Sequence, residues 1–263
     1  MNVVIDKSWL TNTKTNELIE FSKNHLLILI GPLGYELFTT QKIEQVKTLW
    51  KKLSFVKESV RLVETVGYFF NYEIENHNYV HDISNHFLDV NFNPHQDLIN
   101  GNSTFSDDEI NAMLYHKNYY EINRVDSYKE ISARVYNYFP ELDNIKTGYD
   151  RSKIQHIYDK AAYDKDFILF VYNDIKPENF PPTKLLNEKW TIYRWLQVTL
   201  LYGIDYVRKY GKDNLNIYSS KFANTNIDMD YVILGAIIGC LASNDDDIKY
   251  FYRLICPDKK LFC

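Results

Sequence analysis

Two continuous apolar runs near the start of the chain, NVVI at residues 2–5 and LLILI at residues 26–30, show no polar alternation. Strands covered on both faces of a parallel sheet read this way. The first run hands over to Asp6, followed by Lys7, Ser8 and Trp9, and the second leaves through Gly31-Pro32. Pro32 suits the first position of a new helix, which would carry Glu36 in its early turns. Between the runs, Leu18, Ile19 and Phe21 give residues 13–24 the pattern of a modest helix. Strand, helix, strand, helix predicts a parallel sheet with right-handed crossovers.

A helical period then takes over. From 40 to 68, Ile43, Val46, Leu49, Trp50, Leu53, Val56, Val60, Val63 and Val66 recur mostly at three- and four-residue intervals, which predicts one long amphipathic helix broken near Ser54. Residues 71–102, rich in Asn, His and Asp, read as irregular. Ser106 with Glu109 forms a capping box for a helix through Tyr115. Further helices are expected over 127–138 and 152–170. Pro177, Pro181 and Pro182 mark a loop, and a long helix over 187–210 closes at Gly211.

Residues 214–219, NLNIYS, read as another strand. The stretch 226–247, NIDMDYVILGAIIGCLASNDDD, sets an apolar or small run, 231–240, between two groups of acids. Asp228 and Asp230 suit a helix N-terminus, where free N–H groups and the macrodipole favour a carboxylate. The run itself is expected as a helix buried on all sides, with Gly235, Ala236 and Gly239 allowing close approach to a neighbouring backbone. A short strand near Leu241 and Ala242 would then deliver Asn244 and Asp245 just past its C-terminal end, where open α/β sheets bind ligands. A last helix over 246–255 precedes an edge strand at 260–262. The predicted architecture is an α/β core made from residues 1–40 and 212–263, elaborated by a mostly helical insertion over 41–211.

With 263 residues, 45% of them hydrophobic and 16% aromatic, the chain can bury a sizeable core. A net charge of −5 provides no general electrostatic footprint for nucleic acid, so any such binding needs a local surface. Cys240, Cys256 and Cys263 have neither the number nor the spacing of a disulfide framework or a zinc site and are expected as free thiols. No apolar stretch approaches the about 18 residues of a membrane span, and the start MNVVIDKSW lacks the regions of a signal peptide. The expectation is a cytoplasmic protein without membrane contact.

The candidate chemistry lies in four acids at element ends that a parallel sheet would gather: Asp6, Glu36, Asp228 and Asp245, with Asp230 an alternative to Asp228. Crowded carboxylates repel, and a hard divalent cation is their usual counter-charge. Mg²⁺ or Mn²⁺ prefers oxygen ligands and keeps several waters, one of which can attack a phosphodiester in line. Ser8 and Asn244 are placed to support such a site. Asp246 and Asp247 are expected to cap the last helix and face solvent. His77, His81 and His86 with Asp82 and Asp89 have metal-binding residue types but no defensible ligand spacing, and loop polarity explains them better. Trp190, Tyr193, Arg194, Trp195 and Gln197 crowd one helix, where core packing is favoured over base stacking. GPLGYE lacks the lysine and spacing of a phosphate-binding loop, which excludes an NTPase of that type.

The ordered set of an apolar strand ending in Asp6 with Ser8 two residues on, LLILIGPLGYELF with Glu36, the Asp228 segment, and LASND ending at Asp245 resembles the PIN-like domains, metal-dependent ribonucleases that include many bacterial toxins. The resemblance covers the two ends, about a third of the chain. It implies a three-layer α/β/α fold with a mostly parallel sheet, and Mg²⁺- or Mn²⁺-dependent cleavage of single-stranded RNA by Asp6, Glu36, Asp228 and Asp245. It also raises an inhibitory or defence-system partner protein, while oligomeric state stays open. Lys7 stands where the family usually has a small or polar residue, and an insertion of this size departs from the family's pattern. Two other readings remain: a catalytically inactive PIN-like module that binds a partner protein, and a haloacid-dehalogenase-like phosphatase. The phosphatase ranks below because Ser8 occupies the position of that family's second Asp.

Overall fold

A computed structural model describes residues 1–31, 33, 43–88, 134–145, 148, 150–211 and 220–263, with the side chains of Ile43 and residues 220–224 outside the description. The first apolar run forms β1 (Asn2–Ile5), followed by the short α1 (Lys7–Asn12) and by α2 (Thr15–Ser22). The second forms β2 (Leu26–Leu29). After α3 (Ile43–Ser54) the chain enters β3 (Val60–Leu62) and α4 (Val66–Asn76). Then come α5 (Gln155–Tyr163), α6 (Lys165–Ile175) and α7 (Thr191–Tyr210), and α8 (Ser220–Ile238) leads into β4 (Cys240–Ala242). The last elements are α9 (Asp246–Ile255) and β5 (Lys260–Phe262).

The five strands make one parallel sheet in the order β3-β2-β1-β4-β5. Val3, Val4, Ile5, Leu27 and Ile28 are fully buried, as continuous apolar strands in a covered sheet should be. β1 lies at the centre and pairs Val4 with Leu241 and Ile5 with Ala242, so the first strand and the fourth are neighbours. From β1 the chain moves outward to β2 and β3, and from β4 it moves the other way to β5. The C-terminal ends of β1 and β4 therefore flank a topological switch point, the place where such sheets open a crevice.

Four expectations change. The stretch 71–102 is not irregular from its start, because α4 runs on to Asn76. The helix over 40–68 breaks after Ser54 as expected but does not resume: Val60–Leu62 is a strand that pairs with β2. Val60 and Val63 are spaced for a helix, but β-branched residues serve a pleated, buried surface equally well, and the neighbouring strand decides. This strand lies inside the span expected as the insertion. Residues 152–170 hold two helices instead of one, because Asp164 accepts from the Phe167 amide at 3.0 Å and starts α6 afresh. Finally, α8 begins at Ser220, so Asp228 and Asp230 sit inside the helix and not at its start. The expected helix at 106–115, strand at 214–219, and Asp89 lie outside the described residues, and the 127–138 helix is described only from Arg134.

The helix α8 packs on β1 and β4 and against α7 and α9. A Cβ at Gly235 would come within 3.1 Å of Leu241 Cβ and 3.2 Å of Tyr252, which is the close approach its sequence invited. Gly239, at φ +99, turns the chain directly from α8 into β4. The aromatic set on α7 is core, as expected: Trp190, Tyr193, Arg194 and Gln197 are buried, and Trp195 meets Phe70 edge-on. All three cysteines are free. Among the described residues no helix is long and apolar enough to cross a membrane.

The start of α7 is closed from a distance. Glu73 on α4, fully buried, accepts from the amides of Thr191 at 2.6 Å and Ile192 at 2.9 Å, two of the N–H groups a helix start leaves open. Burial outweighs these bonds and pushes the Glu73 carboxyl up to about 7. A folded-state value above the unfolded one means that the proton is held more tightly in the fold. The associated stability is complete below about pH 4.5 and is lost as the pH rises through 7. A shift from 4.5 to about 7 corresponds to about 3 kcal/mol. Urea unfolding of the wild type and Glu73→Gln across pH 4.5 to 8 should show the wild type losing about that much relative to the variant. Parallel pH dependences would refute this account of Glu73.

Candidate active site

The crevice at the ends of β1 and β4 is held by two serines and one buried acid. Asp6, the residue after β1, is 4% exposed. Its amide donates to Ala242 O at 3.0 Å, which extends the β1–β4 pairing by one step and fixes its carboxyl beside the β4 exit. Ser8, on the first turn of α1, donates to Asp6 Oδ2, and Ser243 Oγ donates to the same oxygen at 2.7 Å. The two hydroxyls are oriented by backbone donors in turn. The Asn244 amide donates to Ser8 Oγ at 2.9 Å and the Asp245 amide to Ser243 Oγ at 3.1 Å. Both loops thus meet on one carboxylate oxygen.

Asp245 closes the other side of the crevice. It is the N-cap of α9, and its Oδ1 accepts from the Asp247 amide at 2.9 Å and the Ile248 amide at 3.0 Å. Burial holds Asp6 above its ordinary carboxyl range against the hydrogen bonds of Ser8 and Ser243, and the Asp245 charge pushes the same way. The two acids are therefore close enough to repel, and each has one oxygen fixed by protein donors.

The structure thus brings together Asp6, Ser8, Asn244 and Asp245, and adds Ser243. Glu36 lies outside the described residues. Asp228 is half-buried and Asp230 fully buried, both within α8, which packs on β1 and β4. Among the described residues no three Asp, Glu, His or Cys side chains form a group that could hold a metal ion. That includes the histidine-rich stretch, where Asp82 caps a short 3₁₀ turn and His86 packs on Tyr68, Phe69 and Tyr72. The oxygen-only donors at the crevice, two carboxylates and two hydroxyls, suit a hard divalent cation.

Ser243 has a legible signal that the sequence reading passed over: a hydroxyl just past β4 mirrors Ser8 just past α1's start, and both follow apolar strands. Two cationic clamps had no such signal. Lys52 on α3, buried, donates to the carbonyls of Leu10 and Thr11 at 2.9 Å and of Thr13 at 2.7 Å, and so ties down the C-terminal end of α1, the helix that carries Ser8. Behind Asp245, Asp247 does not face solvent freely. It accepts from Arg151 at 2.5 Å and Lys209 at 2.8 Å, and both cations also hold the buried Asp205. Asp246, 95% exposed, does face solvent as expected.

A carboxyl held above its ordinary range contributes stability below its unfolded pKa of about 3.9 and loses it as the pH rises through the folded value. In chelator, urea unfolding of the wild type and Asp6→Asn should therefore show the wild type losing stability relative to the variant as the pH rises from 4 to 8. A wild type that gains on the variant over that range would show that the ionised carboxylate is instead well accommodated. Comparison of the chain with protein-family models, with curated proteins and with solved structures finds no match, so the reading of this crevice rests on its own geometry.

Proposed function

We propose that the chain is a PIN-like endonuclease that hydrolyses single-stranded RNA with Mg²⁺ or Mn²⁺, on a three-layer α/β/α core elaborated by the helices of 41–211. The observation that carries this reading is the meeting of Asp6 and Asp245 at the switch point between β1 and β4, each with one oxygen pinned by protein donors. Asp6 and Asp245 would hold the cation, with Glu36 and either Asp228 or Asp230 as the further acids that the family resemblance implies. A hard divalent cation bound there supplies a more acidic water and offsets charge on the scissile phosphate.

The chain's own residues set the geometry. Ser8 and Ser243 keep Asp6 Oδ2 occupied, so the carboxylate cannot rotate away from the crevice without breaking two hydrogen bonds. The α9 amides do the same for Asp245 Oδ1. Repulsion between the two acids, which raises Asp6, is relieved by any cation between them. A cytoplasmic nuclease of this kind fits control by an inhibitory or defence-system partner.

The alternative reading is an inactive PIN-like module that binds a partner protein. Labelled single-stranded RNA and DNA incubated with Mn²⁺, Mg²⁺ or chelator separate the two. A nuclease cleaves RNA only with metal and loses more than about 100-fold of its rate in Asp6→Asn, since outer-shell changes alone typically cost 10- to 100-fold. Cleavage indifferent to both chelator and the substitution would sink the nuclease reading. Absence of cleavage together with no Mn²⁺-dependent rise in melting temperature would support the inactive module.

A further inference from the structure

We propose that Arg151 and Lys209 are positioning residues for the crevice, acting through Asp247 to hold the first turn of α9 and with it the Asp245 carboxylate. The path is short and runs through hydrogen bonds in series. Asp245 is oriented by the amides of Asp247 and Ile248. The Asp247 side chain, in turn, is held by Arg151 at 2.5 Å and Lys209 at 2.8 Å. Those cations are themselves anchored on Asp205, which is 5% exposed at its side chain and also accepts from Arg208 and from the Tyr158 hydroxyl at 2.9 Å.

Three features make this more than a surface ion pair. The cations come from two separate places, the turn Arg151–Ile154 and the end of α7, so the α9 turn is fixed from both. Arg151 is further immobilised by stacking over Tyr250 and Phe251, with its guanidinium carbon 4.6 and 5.2 Å from their ring centres. And both cations share one withdrawn partner, Asp205, so that they are set in place before they reach the more open Asp247, 37% exposed at its side chain. Movement of the Asp247 backbone would break its bond to Asp245 Oδ1, so a set of contacts far from Asp6 in sequence decides where the second acid points.

The metal arm of the test rests on the nuclease reading, and the second arm does not. Mn²⁺ titrations followed by melting temperature and by RNA cleavage would compare the wild type, Arg151→Met, Arg151→Lys and Asp247→Asn. Arg151→Met keeps an apolar chain over Tyr250 and Phe251, and Asp247→Asn keeps the shape of the turn should the first variant fold poorly. Half-saturating Mn²⁺ should rise about tenfold in Arg151→Met and Asp247→Asn and recover in part in Arg151→Lys. Independently of metal, amide hydrogen exchange at Asp247 and Ile248 should quicken relative to Phe251 and Leu254 further along the same helix. Unchanged relative protection of Asp247 and Ile248, with only a lower melting temperature, would overturn the proposal. A wild type that shows neither a Mn²⁺ response nor cleavage would end the nuclease reading, and the exchange arm would then decide the positioning role alone.

Discussion

The structure turns on one buried carboxylate. Asp6 sits at the centre of a parallel sheet, where water is excluded and a charge is costly unless it is hydrogen-bonded. Its donors are not neighbours in one loop. One hydroxyl comes from α1 and the other from the β4 exit, and each is aimed by a backbone amide of the β4–α9 loop. Satisfying this one group therefore fastens together the two strand exits that border the crevice. The arrangement is a constraint on loop geometry as much as a feature of any reaction.

Each exit has a cationic brace behind it. Lys52 spends its three donors on the carbonyls that end α1, and the Arg151, Lys209 and Asp205 cluster grips the start of α9. Among the described residues the first brace uses no carboxylate partner. Burial lowers the Lys52 pKa, and its bonds to helix-end carbonyls use the negative end of the helix dipole. The second holds Asp205 far below the usual carboxylate range, against burial, through Arg151 and Lys209. Two different solutions thus stiffen the two sides of one crevice, in keeping with the need for functional groups to be supported by residues that are themselves fixed.

Much of the frame was legible in the chain because it rests on local signals. Apolar runs without alternation gave β1 and β2, Gly211 marked a helix end, and the acids after β1 and β4 pointed to the crevice that Asp6 and Asp245 now flank. What failed also has a local explanation. Val60 belongs to a strand because β2 is beside it, and no window of sequence contains that fact. Asp228 suits a helix N-terminus by residue type and was placed at a start that lies eight residues earlier, at Ser220. The braces were invisible for a stronger reason: Lys52 reaches back about 40 residues to α1, and Arg151 reaches forward to Asp247, and such pairings leave no periodicity behind.

The pairing of β1 with β4 has a consequence for how the molecule comes into being. Val4 precedes its partner Leu241 by 237 residues. The centre of the sheet must therefore wait with one edge open until Leu241 has been made, and the entropy of closing so long a loop is met only when β4 docks. Until then Asp6 has neither Ser243 nor the Asp245 charge beside it. The crevice is in this sense made late: a chain that stops short of β4 lacks the juxtaposition of the two acids.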